Sequence, residues 1–126
     1  MKCIIATNNA PAANGPYSQG VSCTGDIIFV SGQTPIDPAS GIIETDNIAD
    51  QARQSLKNIE GVLKAVGLSL DNVVKTTCFI TDMGNFSEFN KVYSEFFKDN
   101  CPARSCVEVS KLPKNSLCEV EAIAIR

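Results

Sequence analysis

Three observations predict an α+β fold, with two helices packed on one face of a mainly antiparallel sheet. Two stretches, Ile48 to Val66 and Asn85 to Phe97, carry apolar residues at three- and four-residue spacing, the mark of amphipathic helices. The β-prone runs are segregated around these two stretches, with hairpins expected at both ends, which suggests a mainly antiparallel sheet. The chain has 126 residues, near the commonest domain size, so residues 1–126 are read as one domain.

The first strand is expected over Lys2 to Ala6. Thr7 to Gln19, rich in Asn, Ala, Pro and Gly, reads as a loop. Gly20 to Thr24 and Asp26 to Ser31 are β-prone runs meeting at Gly25-Asp26, consistent with a hairpin. Two prolines and two glycines between Gly32 and Gly41 then turn the chain. The first helix shows its stripe at Ile48, Ala52, Leu56, Ile59, Leu63 and Val66, with Asp46 as N-cap and Gly67 as its stop. Val73 to Ile80 is β-branched and apolar, a central strand. Asn85-Phe86-Ser87-Glu88 fits a capping box for the second helix, whose stripe is Phe86, Phe89, Tyr93, Phe96 and Phe97. Pro102 to Val109 and Cys118 to Ile125 are the last two strands, joined by a loop from Ser110 to Leu117.

Composition excludes several classes of function. The net charge is −3 and the lysines are scattered, whereas phosphate binding needs clustered Lys and Arg, so nucleic acid is disfavoured as a partner. There is no histidine, which removes the usual serine or cysteine triads and the commonest metal co-ligand. The six cysteines include no Cys-x-x-Cys. Cys23, Cys78, Cys106 and Cys118 sit in apolar runs and read as reduced, small buried hydrophobes. No stretch approaches the roughly 20 apolar residues of a membrane span, nor does the first segment read as a signal peptide. The expected location is the cytoplasm.

The residues able to carry chemistry gather on the last two strands. Strand alternation sets Arg104, Cys106 and Glu108 on one face of the first, and Glu119 and Glu121 on one face of the second. Antiparallel pairing of the two would bring Arg104 and one or both glutamates to the same edge. Register decides this, and a one-residue slip reverses it. Two readings stand on the residues alone. One is a surface cross-strand ion pair, worth under about 1 kcal/mol. The other is a pocket in which a guanidinium grips a small carboxylate substrate and a glutamate orients water to hydrolyse it. Three further positions bear on the second reading. Ser31-Gly32-Gln33 ends a strand where glycine admits close backbone approach. Tyr17 offers a phenol from a loop, and Asn90 places an amide on an apolar helical stripe, where its hydrogen bonds must be satisfied.

Along nearly its whole length the chain resembles the Rid/YjgF family (reactive intermediate deaminase A, also called the endoribonuclease L-PSP family). The matching segments are Gly15-Pro16-Tyr17-Ser18-Gln19, Val30-Ser31-Gly32-Gln33, Gln51 to Leu56, Val74-Lys75-Thr76-Thr77, Phe89-Asn90, Pro102 to Val109, Leu112-Pro113 and Glu119 to Ala124. The resemblance implies a YjgF/chorismate-mutase-like fold and a homotrimer with sites between subunits. It further implies 2-iminobutanoate/2-iminopropanoate deaminase activity, the hydrolysis of reactive enamines or imines such as 2-aminoacrylate to 2-keto acids and ammonia, with no cofactor and no metal. Carried over by position, Arg104 binds the substrate carboxylate with main-chain groups around Cys106. Glu119 positions the attacking water, and Tyr17, Ser31, Gly32 and Asn90 shape the pocket. The competing readings are a non-catalytic trimer that binds keto acids for regulation, and a translation-inhibiting endoribonuclease.

Overall fold

The computed structural model describes all residues from Met1 to Arg126. In chain order the elements are β1 (Lys2–Ile5), β2 (Gly20–Cys23), β3 (Ile27–Gln33), α1 (Ile48–Lys64), β4 (Val73–Ile80), α2 (Phe86–Phe96), β5 (Ala103–Glu108) and β6 (Cys118–Ile125). Strands β3, β6, β4 and β5 form one sheet in that spatial order, and β1 with β2 forms a separate two-stranded sheet. Both helices lie on one face of the larger sheet. No helix is long and apolar enough to cross a membrane.

The first helix follows its apolar period from Ile48 to Leu63, whereas Val66, the last residue of the expected stripe, lies beyond the helix and is exposed. Ile48, Ala52, Leu56, Ile59 and Leu63 are buried against Val30, Val120, Ala122 and Ala124 of the sheet. The N-cap is Asn47, one residue after the expected Asp46, and its Oδ1 accepts a hydrogen bond from the Asp50 N–H at 2.9 Å. At the other end Gly67 adopts φ +74°. There the Leu68 N–H returns to the Leu63 carbonyl at 2.9 Å and the Gly67 N–H to Lys64 at 3.0 Å, a Schellman closure. The α2 start differs from expectation. Asn85 makes no side-chain cap, because a 3-10 turn over Met83–Asn85, capped by Asp82 on the Gly84 N–H, feeds directly into the helix. The buried stripe of α2 is Phe89, Val92 and Tyr93, with Phe97 just beyond; Phe86 and Phe96 are only partly covered.

Two expected hairpins are absent. β2 pairs with β1 (Ile5↔Gly20 to Lys2↔Cys23), while β3 pairs antiparallel with β6 from Ile27↔Ile125 to Gln33↔Val120. Gly25, at φ +134°, redirects the chain between them, and the Arg126 N–H closes on the Asp26 carbonyl at 2.9 Å. Strand β2 therefore stays outside the core, which is why Cys23 is exposed rather than buried. Cys3 is also exposed, Cys78 and Cys118 are buried, Cys101 and Cys106 are half-buried, and all six thiols are free.

β5 and β6 do not pair either. β4 lies between them, antiparallel to β6 and parallel to β5. The physical reason is the connection. α2 carries the chain from the end of β4 back to its start, so β5 must arrive parallel to β4. β6 then inserts on the other edge of β4, completing the core beside β3.

A candidate active site split across two faces of the sheet

Residues opposite one another in a ladder share a face, so the register assigns every candidate side chain. Thr76, Cys78 and Ile80 of β4 face the helices and are buried. Arg104, Cys106 and Glu108 are their partners on β5 and share that face. Glu119 and Glu121 pair with Phe79 and Thr77 and lie on the other face, away from the helices. Arg104 and Glu119 are thus separated by a strand and by the thickness of the sheet.

Arg104 sits at the sheet edge under α2. Its Nη1 donates to Asn90 Oδ1 at 2.6 Å, while Nη2 and Nε make no hydrogen bond within the chain. The guanidinium carbon lies 4.7 Å from the ring centre of Tyr93, 5.6 Å from Phe86 and 5.9 Å from Tyr17. Each is within range for a cation over an aromatic face. Phe86, Asn90 and Tyr93 are spaced i, i+4, i+7, so one stripe of α2 builds most of this receptor. Tyr93 is itself immobilised. It is fully buried, stacks at 4.7 Å against Phe97, and its hydroxyl lies 2.7 Å from Thr76 Oγ1, on the residue directly opposite Arg104 in the ladder. No carboxylate approaches Arg104; both ion pairs of the chain belong to Arg53, with Asp50 and Glu95. A cross-strand ion pair between Arg104 and Glu119, Glu121 or Glu108 is therefore excluded within one chain.

The edge of β5 adds main-chain groups to this half-site. The Val109 N–H bonds inward to Ile80 at 2.8 Å, so alternation turns the N–H and C=O of Arg104, Cys106 and Glu108 outward. The Pro102 carbonyl, on the same outward set, accepts from the Ser18 N–H at 3.2 Å and ties the Tyr17 loop to the strand. Burial raises the Cys106 thiol pKa above its ordinary value, an effect only partly offset by Arg104. The thiol is thereby kept protonated, which opposes a nucleophilic role. Glu108 is spent on structure, its carboxylate accepting the Met83 N–H at 2.8 Å.

The second half-site lies on the open face. Glu119 makes no hydrogen bond or ion pair within the chain, and packs over Gly32 on the neighbouring strand. A Cβ at Gly32 would collide with Glu119 Oε1 and stand only 2.8 Å from its carboxyl carbon. Glycine leaves the space that the Glu119 carboxylate occupies, as well as being able to admit a ligand. Ser31, exposed, shares this face. The face is otherwise mixed: Ile27 (59% exposed), Phe29 (73%) and Val107 (43%) are uncovered, and Lys75, Thr77, Ser105 and Glu121 share it by register. No group of three or more Cys, Asp or Glu side chains converges in a way that could hold a metal ion.

The sequence-derived set thus divides in two: Arg104, Asn90, Tyr17 and Cys106 on the helix side, Glu119, Gly32 and Ser31 on the open side. Phe86 and Tyr93 are the additions. Their signal was present in the polar Asn90 interrupting an aromatic stripe at helical spacing. A cleft of about 760 Å³ between Lys2, Leu70, Phe96 and Asn100 touches neither half.

Comparison with known proteins gives a consistent picture. The family model described as endoribonuclease L-PSP matches residues 7–126. A 2-iminobutanoate/2-iminopropanoate deaminase of Escherichia coli K12 is 49% identical over 129 aligned positions, covering 100% of this chain and 99% of that protein. A RutC family protein of Pyrococcus horikoshii is also 49% identical, over 100% of this chain and 99% of its own length. Among solved structures, E. coli TdcF with bound serine superposes with a TM-score of 0.76 at 46% identity, covering 98% of each chain. The YjgF gene product from E. coli does so with a TM-score of 0.76 at 47% identity, covering 98% of each.

Proposed function

The chain belongs to the endoribonuclease L-PSP (YjgF/Rid) family, and on that premise we propose that it is an imine deaminase, hydrolysing 2-imino acids such as those formed from 2-aminoacrylate to 2-keto acids and ammonia. One observation carries the reading. Arg104 is a half-buried guanidinium held by Asn90 and three aromatic rings, with no counter-ion and with Nη2 and Nε free. A desolvated cation in this state favours an anion, and its open side offers the two parallel donors that match a carboxylate. The outward Cys106 N–H stands beside it to take part.

The reaction needs little more than orientation. With the carboxylate fixed, a water oxygen bonds to the imine carbon and its proton passes to nitrogen, forming a carbinolamine. The hydroxyl proton then passes to the amino nitrogen, the C–N bond breaks with its electron pair leaving on ammonia, and the carbon–oxygen double bond forms. The Glu119 carboxylate accepts a hydrogen bond from the water and aims it. The imine is already electrophilic, so holding water and substrate in contact supplies most of the rate.

Glu119 cannot reach the Arg104 of its own chain, so the water-positioning carboxylate comes from a neighbouring copy. The open face around Ile27, Phe29 and Val107 supplies an apolar surface for that contact. Two different patches meet in such an interface, which makes it heterologous, and heterologous contacts close into rings rather than twofold pairs. A homotrimer with its sites at subunit boundaries satisfies this requirement. The decisive experiment follows keto-acid release from 2-aminoacrylate generated in situ, comparing the chain with Arg104→Ala. The proposal expects a loss of at least 10²-fold in the variant; equal rates at the uncatalysed level overturn it.

A further inference from the structure

We propose that the substrate's aliphatic side chain enters an apolar cleft beside Tyr17, and that Ala12 and Ala13 set the side-chain length it accepts. This rests on the deaminase reading above and deepens it. The cleft is open to solvent, measures about 420 Å³ and has Ile4, Ile5, Ala12, Ala13 and Tyr17 as its apolar walls beside the polar Thr7, Asn8, Ser18 and Gln19, within the size range of small-molecule sites, about 300–1,000 Å³.

Three features make it part of the site rather than an unrelated recess. Tyr17 is common to both: the ring that lines the cleft stands 5.9 Å from the Arg104 guanidinium. Ser18, the next wall residue, is bridged to Ala103, the residue preceding Arg104, so the cleft begins along the same strand edge. Its walls are also preformed. Gln19 Oε1 accepts the Thr7 N–H at 2.7 Å, and Nε2 donates to the carbonyls of Thr7, Ala10 and Pro11 at 3.1, 3.3 and 2.6 Å. One side chain thereby holds the loop that carries Ala12 and Ala13. The larger cleft elsewhere has no such relation to Arg104 and is lined by Lys2, Asp71, Glu95, Lys98 and Asp99, charges ill suited to an alkyl group.

With the carboxylate on Arg104 and water arriving from the partner's carboxylate, the alkyl group needs an apolar exit near Tyr17. The methyl-sized walls at Ala12 and Ala13 then act as the gauge. Mismatch of one methylene in an apolar pocket changes selectivity by roughly 10–200-fold.

The test uses product keto acids, which carry the same carboxylate and side chain without needing turnover. Calorimetry measures Kd for 2-ketobutyrate and for 4-methyl-2-oxopentanoate on the wild-type chain, Ala12→Leu and Ala13→Leu. Both alanines are exposed in a loop, so the fold tolerates the substitutions, and thermal melting verifies it. The expected result is a rise of at least tenfold in the ratio of the branched to the short Kd in one or both variants. A ratio within twofold of wild type in both overturns the inference. Turnover of 2-aminoacrylate by the wild-type chain reports separately on the deaminase reading. A shifted ratio without turnover keeps the cleft and removes the enzyme, and turnover with an unshifted ratio does the reverse.

Discussion

Gly32→Ala should separate catalysis from stability. The added methyl would overlap Glu119 Oε1, lie 2.8 Å from the carboxyl carbon and 3.2 Å from Cγ, all shorter than ordinary contact. The strand backbone does not have to move, because the obstacle is the far end of a flexible, half-exposed side chain. The stability cost therefore falls at the low end of overpacking, about 1 kcal/mol, and the melting temperature drops by only a few degrees. Glu119 must instead swing its carboxylate by about 1 Å or more, a displacement that costs roughly 10²-fold in rate where positioning is the source of catalysis. In the proposed reaction the carboxylate is bound by Arg104 on the opposite face, so KM should change by less than about threefold. Steady-state kinetics on 2-aminoacrylate, with a denaturation curve for the same preparation, gives all three quantities. A variant with kcat within threefold of wild type would show that a carboxylate packed over Gly32 is not what aims the water.

Other substitutions test the remaining parts. Tyr93→Phe keeps the ring under Arg104 but strands Thr76 Oγ1 in the core, so it should cost about 1–3 kcal/mol in urea denaturation while 2-ketobutyrate affinity stays within threefold; an affinity loss beyond tenfold would mean that the ring is not the part that matters. Asn90→Ala removes the one hydrogen bond that orients the guanidinium and should raise KM by about tenfold, a loss of roughly 1.4 kcal/mol in binding; an unchanged KM assigns the orientation to the rings alone. Cys106→Ala should retain kcat within about threefold, since burial keeps the thiol protonated, and a loss of 10²-fold or more would restore the nucleophile. Burial pushes the Cys78 and Cys118 thiols up to about 12 from an ordinary 9.0. Their folded-state pKa values are raised, so their contribution is fully present below pH 9 and is lost as pH climbs towards 12, by up to about 1.4 kcal/mol per pH unit for each thiol. Urea midpoints between pH 8 and 10 should fall in the wild-type chain and flatten when both cysteines become alanine; identical slopes contradict the assignment.

What could be read without coordinates was what local chemistry dictates. The α1 stripe, the Gly67 stop and the limits of β4 and β6 all follow from periodicity and from one positive φ, and no distant residue can change them. The capping of α2 was misjudged because Asn85 competes with an upstream 3-10 turn that the four-residue pattern does not encode. Strand partners were out of reach for a different reason. Gly25-Asp26 looks the same whether β2 turns back on β3 or is claimed by β1, and only the packing of β1 decides. The pairing of β5 with β6 failed likewise, since it depended on where the α2 crossover delivers the chain.

The position of β4 between β5 and β6 matters chemically. Had β5 and β6 been neighbours, Arg104 could have met a glutamate within one chain, and its charge would have been neutralised by an internal ion pair with no vacancy for substrate. Inserting β4 between them keeps the cation and the carboxylate from quenching each other while each is held ready at a surface. Arg104 loses part of its hydration to the rings of Tyr93, Phe86 and Tyr17 without gaining a counter-ion, and Glu119 is pinned over Gly32 without gaining a donor. Phe29→Arg tests whether the two halves are joined by assembly. The charge would sit on edge strand β3 of the open face, away from both Arg104 and the helices, so the isolated fold should survive. Assembly should weaken and turnover fall with it, and raising the protein concentration should restore specific activity as copies reassociate. A monomer by sedimentation with full activity at every concentration would show that one chain suffices, and the division of labour between copies would be wrong.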